Sequence, residues 1–340
     1  MQPWLELTPQ RRIEIINQVN AQTNFAVESI EKDWWVTLVL RAVTATPWIA
    51  NLVFKGGTSL SKGWNLIARF SEDIDLAIDR SVLGFEHTEP NGSQVEKLRR
   101  LSAGFTAGPF ADDLRLRLKE LDVPGELLRL SVKTGPDNED PRQIWLEYDS
   151  LFVSPETRRD PAYIAPKVIV EIGARSLREP CSNRPITSLV SAAFPKAAFA
   201  APAFDMATVD PQRTMLEKIF LLHEEKTKTA DKRRILRMSR HYYDLHQTAD
   251  TPHMEQAIGT PELFATVRDH RHRFNRVPSC QYAELQCRHL DFLPHPDEMP
   301  QWEKDYQDMR TYMIGANPPA FAPMMEKLRQ LQERIAELNH

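Results

Sequence analysis

The chain has 340 residues, of which 41% are hydrophobic and 26% are charged. This length and composition predict a globular protein large enough for two domain cores, and they exclude a disordered or fibrous chain. The net charge of −4 argues against RNA binding by the whole surface, and the lack of a basic leader or membrane-length apolar run predicts a cytoplasmic protein with no membrane partner.

The first quarter of the chain alternates apolar segments with short polar connections. The segment that leads up to Pro47 is strongly apolar, which predicts a buried helix, and this helix should end before Pro47 because proline interrupts helical hydrogen bonding. The predicted elements are two helices between residues 10 and 45, a strand over 51–55, a helix over 58–68 and a strand over 73–79.

Two aspartates lie two residues apart in the second of these strands. Because side chains alternate along a strand, Asp73 and Asp75 share one face. Two neighbouring carboxylates repel each other, and a fold that holds them together usually places a cation between them. Oxygen ligands favour magnesium, so these residues are predicted metal ligands.

A double glycine stands between the first strand and the following helix. Gly56 and Gly57 permit a tight turn at which backbone N–H groups face a triphosphate, and Ser59 adds a hydroxyl. A P-loop is excluded because it requires glycine before its lysine and serine or threonine after it, whereas Ser61 and Gly63 flank Lys62. The glycine turn and the paired aspartates together indicate metal-assisted nucleotidyl transfer.

Three further strands are predicted over 126–133, 143–148 and 166–172, which makes a mixed sheet of about five strands. Glu171 lies inside an apolar strand, where a carboxylate is costly to bury without a cation or donor. The pattern leaves two interpretations equal: a third metal ligand and general base, or an ordinary glutamate on the solvent face.

The segment 192–210 is rich in alanine and proline and is predicted to link the first domain to helices beginning at Pro211. Asp244 has Arg240 one turn before it, which predicts an ion pair. Two clusters of cations could follow an RNA backbone or lie on solvated helix faces, and the pattern does not choose. They are Lys226, Lys228, Lys232, Arg233, Arg234, Arg237 and Arg240, and Arg268, Arg271, Arg273 and Arg276.

At this point the sequence resembles the AbiEii/AbiGii toxin nucleotidyltransferases of abortive-infection and toxin-antitoxin systems. The resemblance spans about residues 28–250. The motifs that carry it are Glu31 to Trp35, Phe54 to Lys62, Arg69 to Leu76, Val168 to Gly173, Val209 to Lys218 and Arg240 to Leu245.

The resemblance implies an α+β fold, with a polymerase-β-like catalytic core over residues 1–200 and a C-terminal helical domain over residues 201–340 that contributes to the nucleotide and acceptor cleft. It favours Glu171 as the third carboxylate. It also implies that Lys218 and Asp244 are functional residues, with Lys218 on the nucleotide phosphates. Thr58 or Ser59, Lys62 and Arg69 are further candidates for the nucleotide site.

These observations predict a toxin that uses Mg²⁺ or Mn²⁺ to transfer a nucleotide from an NTP to an acceptor. Men-type relatives imply that the acceptor is the 3′ end of tRNA, and that an antitoxin is encoded nearby. Two alternatives stay open: transfer to a protein or small molecule, and a pseudoenzyme that binds nucleotide without catalysis. The intact aspartate pair argues against the pseudoenzyme.

Overall fold

The computed structural model describes residues 3–153, 163–175 and 180–338. The chain divides into two compact units, one formed by Met1–Asn65 with Arg69–Val209 and the other by Leu66–Ala68 with Asp210–His340. The first unit contains a mixed β-sheet with helices, and the second is helical. The predicted α+β class is confirmed.

Seven strands form the sheet within the described residues, in the order β3-β4-β5-β2-β1-β7-β6. The strand β2 is parallel to β5 and antiparallel to β1, and β1 is parallel to β7. The strands are β1 (Leu52–Lys55), β2 (Asp73–Ile78), β3 (Leu128–Val132), β4 (Arg142–Tyr148), β5 (Lys167–Gly173), β6 (Cys181–Ile186) and β7 (Phe204–Val209).

Two of the seven strands, β6 and β7, are absent from the five predicted. The segment assigned to an interdomain link contains β7, which pairs with β1 and β6 and therefore belongs to the first unit. The strand β6 escapes a pattern-based prediction because it is polar and contains Pro185, which an edge strand tolerates.

The first unit also contains helices, and some of them pack on this sheet. The helix α3 contacts β2 and β5, and its residues from Ser29 to Leu40 are buried, charged ones included. This helix therefore packs on the sheet. The helices are α1 (Pro3–Glu6), α2 (Pro9–Thr23), α3 (Val27–Thr44), α4 (Gly56–Thr58), α5 (Gly92–Phe105), α6 (Ala111–Glu120) and α7 (Leu189–Ala193).

The helix predicted over 58–68 is shorter than expected. A single π-helical turn, Ser59–Gly63, follows α4, and the helix then stops. Asn65 adopts a left-handed conformation with φ 53°, which is a common way to end a helix. Gly63 also passes close to β7, since a Cβ there would lie 3.1 Å from Thr208 Cγ2.

The second unit is built around α8, which contacts α9, α10 and α11, while α9 contacts α12 and α13. The last helix of this unit buries an apolar stripe formed by Met325, Leu328, Leu331 and Ile335, as expected for intramolecular packing. The helices are α8 (Pro211–Thr227), α9 (Ser239–Thr248), α10 (Pro252–Ile258), α11 (Pro261–Phe274), α12 (Met299–Met313) and α13 (Phe321–Ala336). None of the described helices combines the length and apolarity needed to span a bilayer.

Candidate active site

The three predicted carboxylates lie on one face of the sheet, on two adjacent strands. Asp75 of β2 stands opposite Glu171 of β5, and Asp73 stands opposite Ile169. The alternation of β2 buries Ile74 and leaves both aspartates half-buried. The parallel pairing therefore brings together carboxylates that are almost a hundred residues apart in the chain.

These carboxylates share a face, but the described residues contain no group of three or more acidic, histidine or cysteine side chains gathered closely enough to hold an ion. The donor set of three carboxylates matches the preference of Mg²⁺ and Mn²⁺ for oxygen.

Gly56 brings the backbone against the second aspartate. It has φ +80°, and a Cβ at this position would lie 2.1 Å from Asp75 Oδ2. Such a distance is impossible for a real side chain, so only glycine permits this approach. The turn that follows β1 is therefore built into the carboxylate site.

Gly57 makes a similar approach to Arg69. A Cβ on Gly57 would lie 2.7 Å from Arg69 Nη2 and 3.1 Å from Ser71 Oγ. The Arg69 side chain is buried, and its Nη1 donates to the carbonyl of Phe70 at 3.0 Å. The structure thus places Arg69 at the glycine turn, and a contact of Arg69 with the nucleotide stays a prediction.

The hydroxyls of Thr58 and Ser59 are both used inside the protein. Thr58 Oγ1 is 2.9 Å from Ser71 Oγ and also contacts the Asp73 carbonyl, which ties the turn to the start of β2. Ser59 Oγ donates to the Gly56 carbonyl at 2.9 Å, and this side chain is fully buried. A phosphate contact by either hydroxyl stays a prediction.

Two consecutive charged residues of α3 form ion pairs with the two segments of the candidate site, the start of β2 and the glycine turn. Lys32 Nζ lies 2.8 Å from Glu72, the residue before Asp73. Asp33 Oδ1 lies 2.6 Å from Lys62 Nζ, at the end of the glycine segment. Both ion pairs are almost completely buried, so removing one partner would leave an uncompensated charge. The structure thus gives Lys62 a positioning contact, and its proposed phosphate contact stays a prediction.

Glu31, the third charge of this group, holds the turn after β4. Its carboxylate accepts from Ser150 Oγ at 2.5 Å and from the Leu151 N–H at 2.7 Å. Burial disfavours the charged form and raises the pKa of Glu31 to about 7, against the lowering effect of these two donors. The carboxyl group therefore changes charge near neutral pH.

The raised pKa makes stability depend on pH. The folded protein binds the Glu31 proton more tightly than the unfolded chain, whose pKa lies near 4.5, so the wild type loses stability as pH rises from about 4.5 to 7. Glu31→Gln should lack this loss, which is on the order of 3 kcal/mol. Urea unfolding at pH 5 and pH 8 measures the difference, with Glu14→Gln on the exposed surface of α2 as the control. Parallel pH dependences for the wild type and Glu31→Gln would contradict the assignment.

Gln143 contacts one of the predicted site residues, although the sequence pattern did not single it out. It stands opposite Glu171 in the β4–β5 pairing, and its Nε2 donates to Glu171 Oε1 at 2.5 Å. The indole Nε1 of Trp145 donates to Gln143 Oε1 at 3.0 Å. Because an indole N–H can only donate, it orients the amide with its NH₂ toward Glu171. The signal in the sequence was the alternation of β4, which places positions 143 and 145 on one face.

Removing this donor should weaken the site. We expect Gln143→Leu to lower the turnover number about 10-fold to 100-fold with little change in the KM for NTP, as for other groups that orient a ligand. Trp145→Phe, which keeps a ring but loses the indole N–H, should have a smaller effect in the same direction. Steady-state transfer assays, with Mn²⁺ affinity measured by electron paramagnetic resonance, test this. Wild-type values of both quantities in Gln143→Leu would show that Glu171 needs no such support.

Lys218 and Asp244 form an ion pair within the second unit. Lys218 Nζ lies 2.9 Å from Asp244 Oδ2, and the Asp244 side chain is fully buried. The predicted pairing of Asp244 with Arg240 is therefore wrong: the partner comes from α8 rather than from the preceding turn of α9. A helix-surface rule cannot anticipate this pair, because the packing of α8 on α9 turns Asp244 inward.

The first cationic cluster is largely occupied by internal ion pairs. Arg233 Nη1 lies 2.6 Å from Glu298. Lys228 Nζ lies 2.6 Å from Glu225 Oε1, and Arg234 Nε donates to the same oxygen at 2.8 Å. These contacts favour a structural role for the three cations over a phosphate-binding role.

The second cluster contains a buried ion pair. Arg271 donates two hydrogen bonds of 2.6 Å to the carboxylate of Glu224, which also accepts from Tyr282 Oη at 2.6 Å. Arg268 pairs with Asp269 at 2.8 Å on the surface. Buried glutamates of α8 thus balance cations in both clusters: Glu225 in the first and Glu224 in the second.

Comparisons with known proteins agree with this architecture. The family model described as "Nucleotidyl transferase AbiEii toxin, Type IV TA system" matches residues 38–334. That match extends through the second unit, beyond the span of the motifs, and begins after Glu31 to Trp35. No curated protein sequence matches the chain.

Among solved structures, the chain is similar to MenT4, a nucleotidyltransferase toxin from Mycobacterium tuberculosis H37Rv. The TM-score is 0.54 at 18% identity, covering 98% of this chain and 91% of that one. It is also similar to JHP933 from Helicobacter pylori, with a TM-score of 0.44 at 14% identity, covering 92% of this chain and 94% of the other. The first likeness shows a shared fold.

Proposed function

The chain belongs to the AbiEii family of nucleotidyltransferase toxins of type IV toxin-antitoxin systems, and we propose that it uses a divalent metal to transfer a nucleotide from an NTP to the 3′ end of a tRNA. The family makes the chain a nucleotidyltransferase and implies an antitoxin partner. The metal, the tRNA acceptor and the residues that act are our proposal.

One observation carries the proposal: the pairing of β2 with β5 sets Asp73, Asp75 and Glu171 on a common face. A bound pair of Mg²⁺ ions would orient the triphosphate and stabilise the charge on the leaving pyrophosphate. Mutual repulsion keeps three carboxylates apart, and a cation removes this repulsion. The oxygen donors therefore fit the ion in type.

The chain's own residues then have distinct roles. Glu171, oriented by Gln143, would take the proton of the attacking 3′-hydroxyl. The 3′-oxygen forms a bond to the α-phosphorus, and the bond from that phosphorus to the pyrophosphate oxygen breaks. The backbone N–H groups at Gly56 and Gly57 would bind phosphate oxygens, and the adjacent guanidinium of Arg69 would supply positive charge.

The remaining candidates keep the status of predictions. Thr58, Ser59 and Lys62 hold the turn through internal contacts. Lys218 and Asp244 are tied to each other in the second unit, and their participation in the reaction rests on the family resemblance. Their single variants would test that resemblance without bearing on the carboxylate site.

The test is transfer of each α-³²P-labelled NTP, with Mg²⁺, to total RNA and to total protein. The expected result is a labelled band of tRNA size. This band should be absent with Asp73→Ala, and absent when the RNA is oxidised with periodate before the assay, because periodate destroys the 3′-terminal diol that would accept the nucleotide. Label on protein alone would replace tRNA by a protein acceptor. Label that survives periodate would exclude the 3′ end, and no label on either fraction would favour the nucleotide-binding pseudoenzyme.

A further inference from the structure

The strand β3 forms one end of the sheet, and part of its backbone points outward. The Lys133 N–H donates to the Gln143 carbonyl at 3.0 Å, which makes positions 133, 131 and 129 the ones that bond to β4. Backbone groups alternate in an antiparallel ladder, so the N–H and C=O groups of Leu130 and Val132 point away from β4. No other strand of the described residues pairs with this side of β3.

An apolar groove of about 860 Å³ lies between α6 and this strand. Its lining includes Leu116, Leu118, Val123 and Leu130. Leu116 is 46% exposed, although large hydrophobic side chains of the described residues are mostly buried. An exposed strand edge beside an apolar groove is the arrangement to which peptide segments add as an extra strand.

The rim of the groove is cationic. Arg115, Lys119 and Arg129 line it, against the single carboxylate of Asp112. The ion pairs that Arg115 makes with Asp112 and Arg129 makes with Asp149 are both solvent-exposed, and such pairs exchange partners at little cost. The rim therefore favours an acidic partner.

We propose that this surface, the β3 edge with its groove, docks an extended acidic segment of a partner protein. The segment would pair with Leu130 and Val132 through four backbone hydrogen bonds, since each residue offers one donor and one acceptor. Its alternate apolar side chains would enter the groove, and its acidic side chains, on the opposite face of the added strand, would face Arg129. The proposal does not depend on the transfer chemistry, because none of these residues belongs to the carboxylate site.

The test uses a fluorescent eight-residue peptide that alternates valine with glutamate, measured by anisotropy on the full-length protein. We expect saturable binding, together with slower hydrogen exchange at the amides of Leu130 and Val132. A peptide with lysine for glutamate, and one with proline at alternate positions, should each bind at least 10-fold more weakly, because they lack the charge or the backbone donors.

Two variants of the protein locate the site. Val132→Pro removes an N–H that points away from β4, and Leu116→Glu places a like charge in the groove; each should weaken binding at least 10-fold. Ser131→Ala, on the opposite face of β3, is the control and should bind as the wild type does. Thermal unfolding checks that the variants fold. If Val132→Pro does not fold, the binding measured with Leu116→Glu decides whether this surface is the site.

Three outcomes would overturn the proposal. The first is the absence of saturable binding, and the second is binding that both variants leave unchanged. The third is a dimer, measured by light scattering, that Leu116→Glu dissociates, because a second copy of the chain would then cover the edge instead of a partner segment.

Discussion

Replacing Asp73 by alanine is expected to lower nucleotide transfer by about 10³-fold or more, which corresponds to about 4 kcal/mol of transition-state stabilisation. The carboxylate is half-buried on the face of β2 that carries Asp75, and it stands opposite Ile169 of β5, so its replacement would remove the proposed cation ligand and little packing. The free energy of unfolding should therefore change by less than about 1 kcal/mol. Initial rates with labelled NTP and urea unfolding measure the two quantities.

The matched control is Glu147→Gln, at an exposed position of β4 on the same face of the sheet. It removes a carboxylate from that face without touching the Asp73 site, and transfer should stay within about twofold of the wild type. Mn²⁺ affinity, measured without nucleotide turnover, should fall in Asp73→Ala only. Full transfer activity in Asp73→Ala, with magnesium still required, would refute the assignment of this carboxylate.

Gly56→Ala is the second change with a large expected effect. The new Cβ would lie 2.1 Å from Asp75 Oδ2, so the turn and the carboxylate must move apart. A displacement of about 1 Å in a catalytic group commonly costs about 10²-fold in rate. We expect a loss of that size in transfer, together with a loss of about 1–2 kcal/mol in stability from the left-handed backbone.

The chain supplies a close control for this variant in Gly84. Gly84 also has a positive φ, +64°, but no atom lies within 4 Å of the place where its Cβ would be. Gly84→Ala should therefore show the backbone cost in urea unfolding and retain transfer activity. If both variants lost the same fraction of activity, the contact between Gly56 and Asp75 would not explain the requirement for glycine.

Much of the sheet follows from local pattern. The strands β1 to β5 lie where period-2 alternation or apolar density predicts them, and the spacing of Asp73 and Asp75 places both on one face before any tertiary contact is known. The strand β7 was missed because its pairing with β1 and β6, rather than its own composition, makes it a strand. Tertiary context commonly overrides strand propensity in this way.

The candidate site likewise combines features that follow from local sequence with features that depend on the tertiary structure. The sequence by itself predicted a nucleotidyltransferase, because two aspartates at an interval of two and a double glycine after a strand form a pattern that is visible in local geometry. Only the tertiary structure decided that Asp75 faces Glu171, that Gln143 orients that glutamate, and that Asp244 pairs with Lys218. These contacts join residues 26 to 96 positions apart. Strand register and helix packing set such contacts, and they depend on burial summed over the whole core rather than on neighbouring residues.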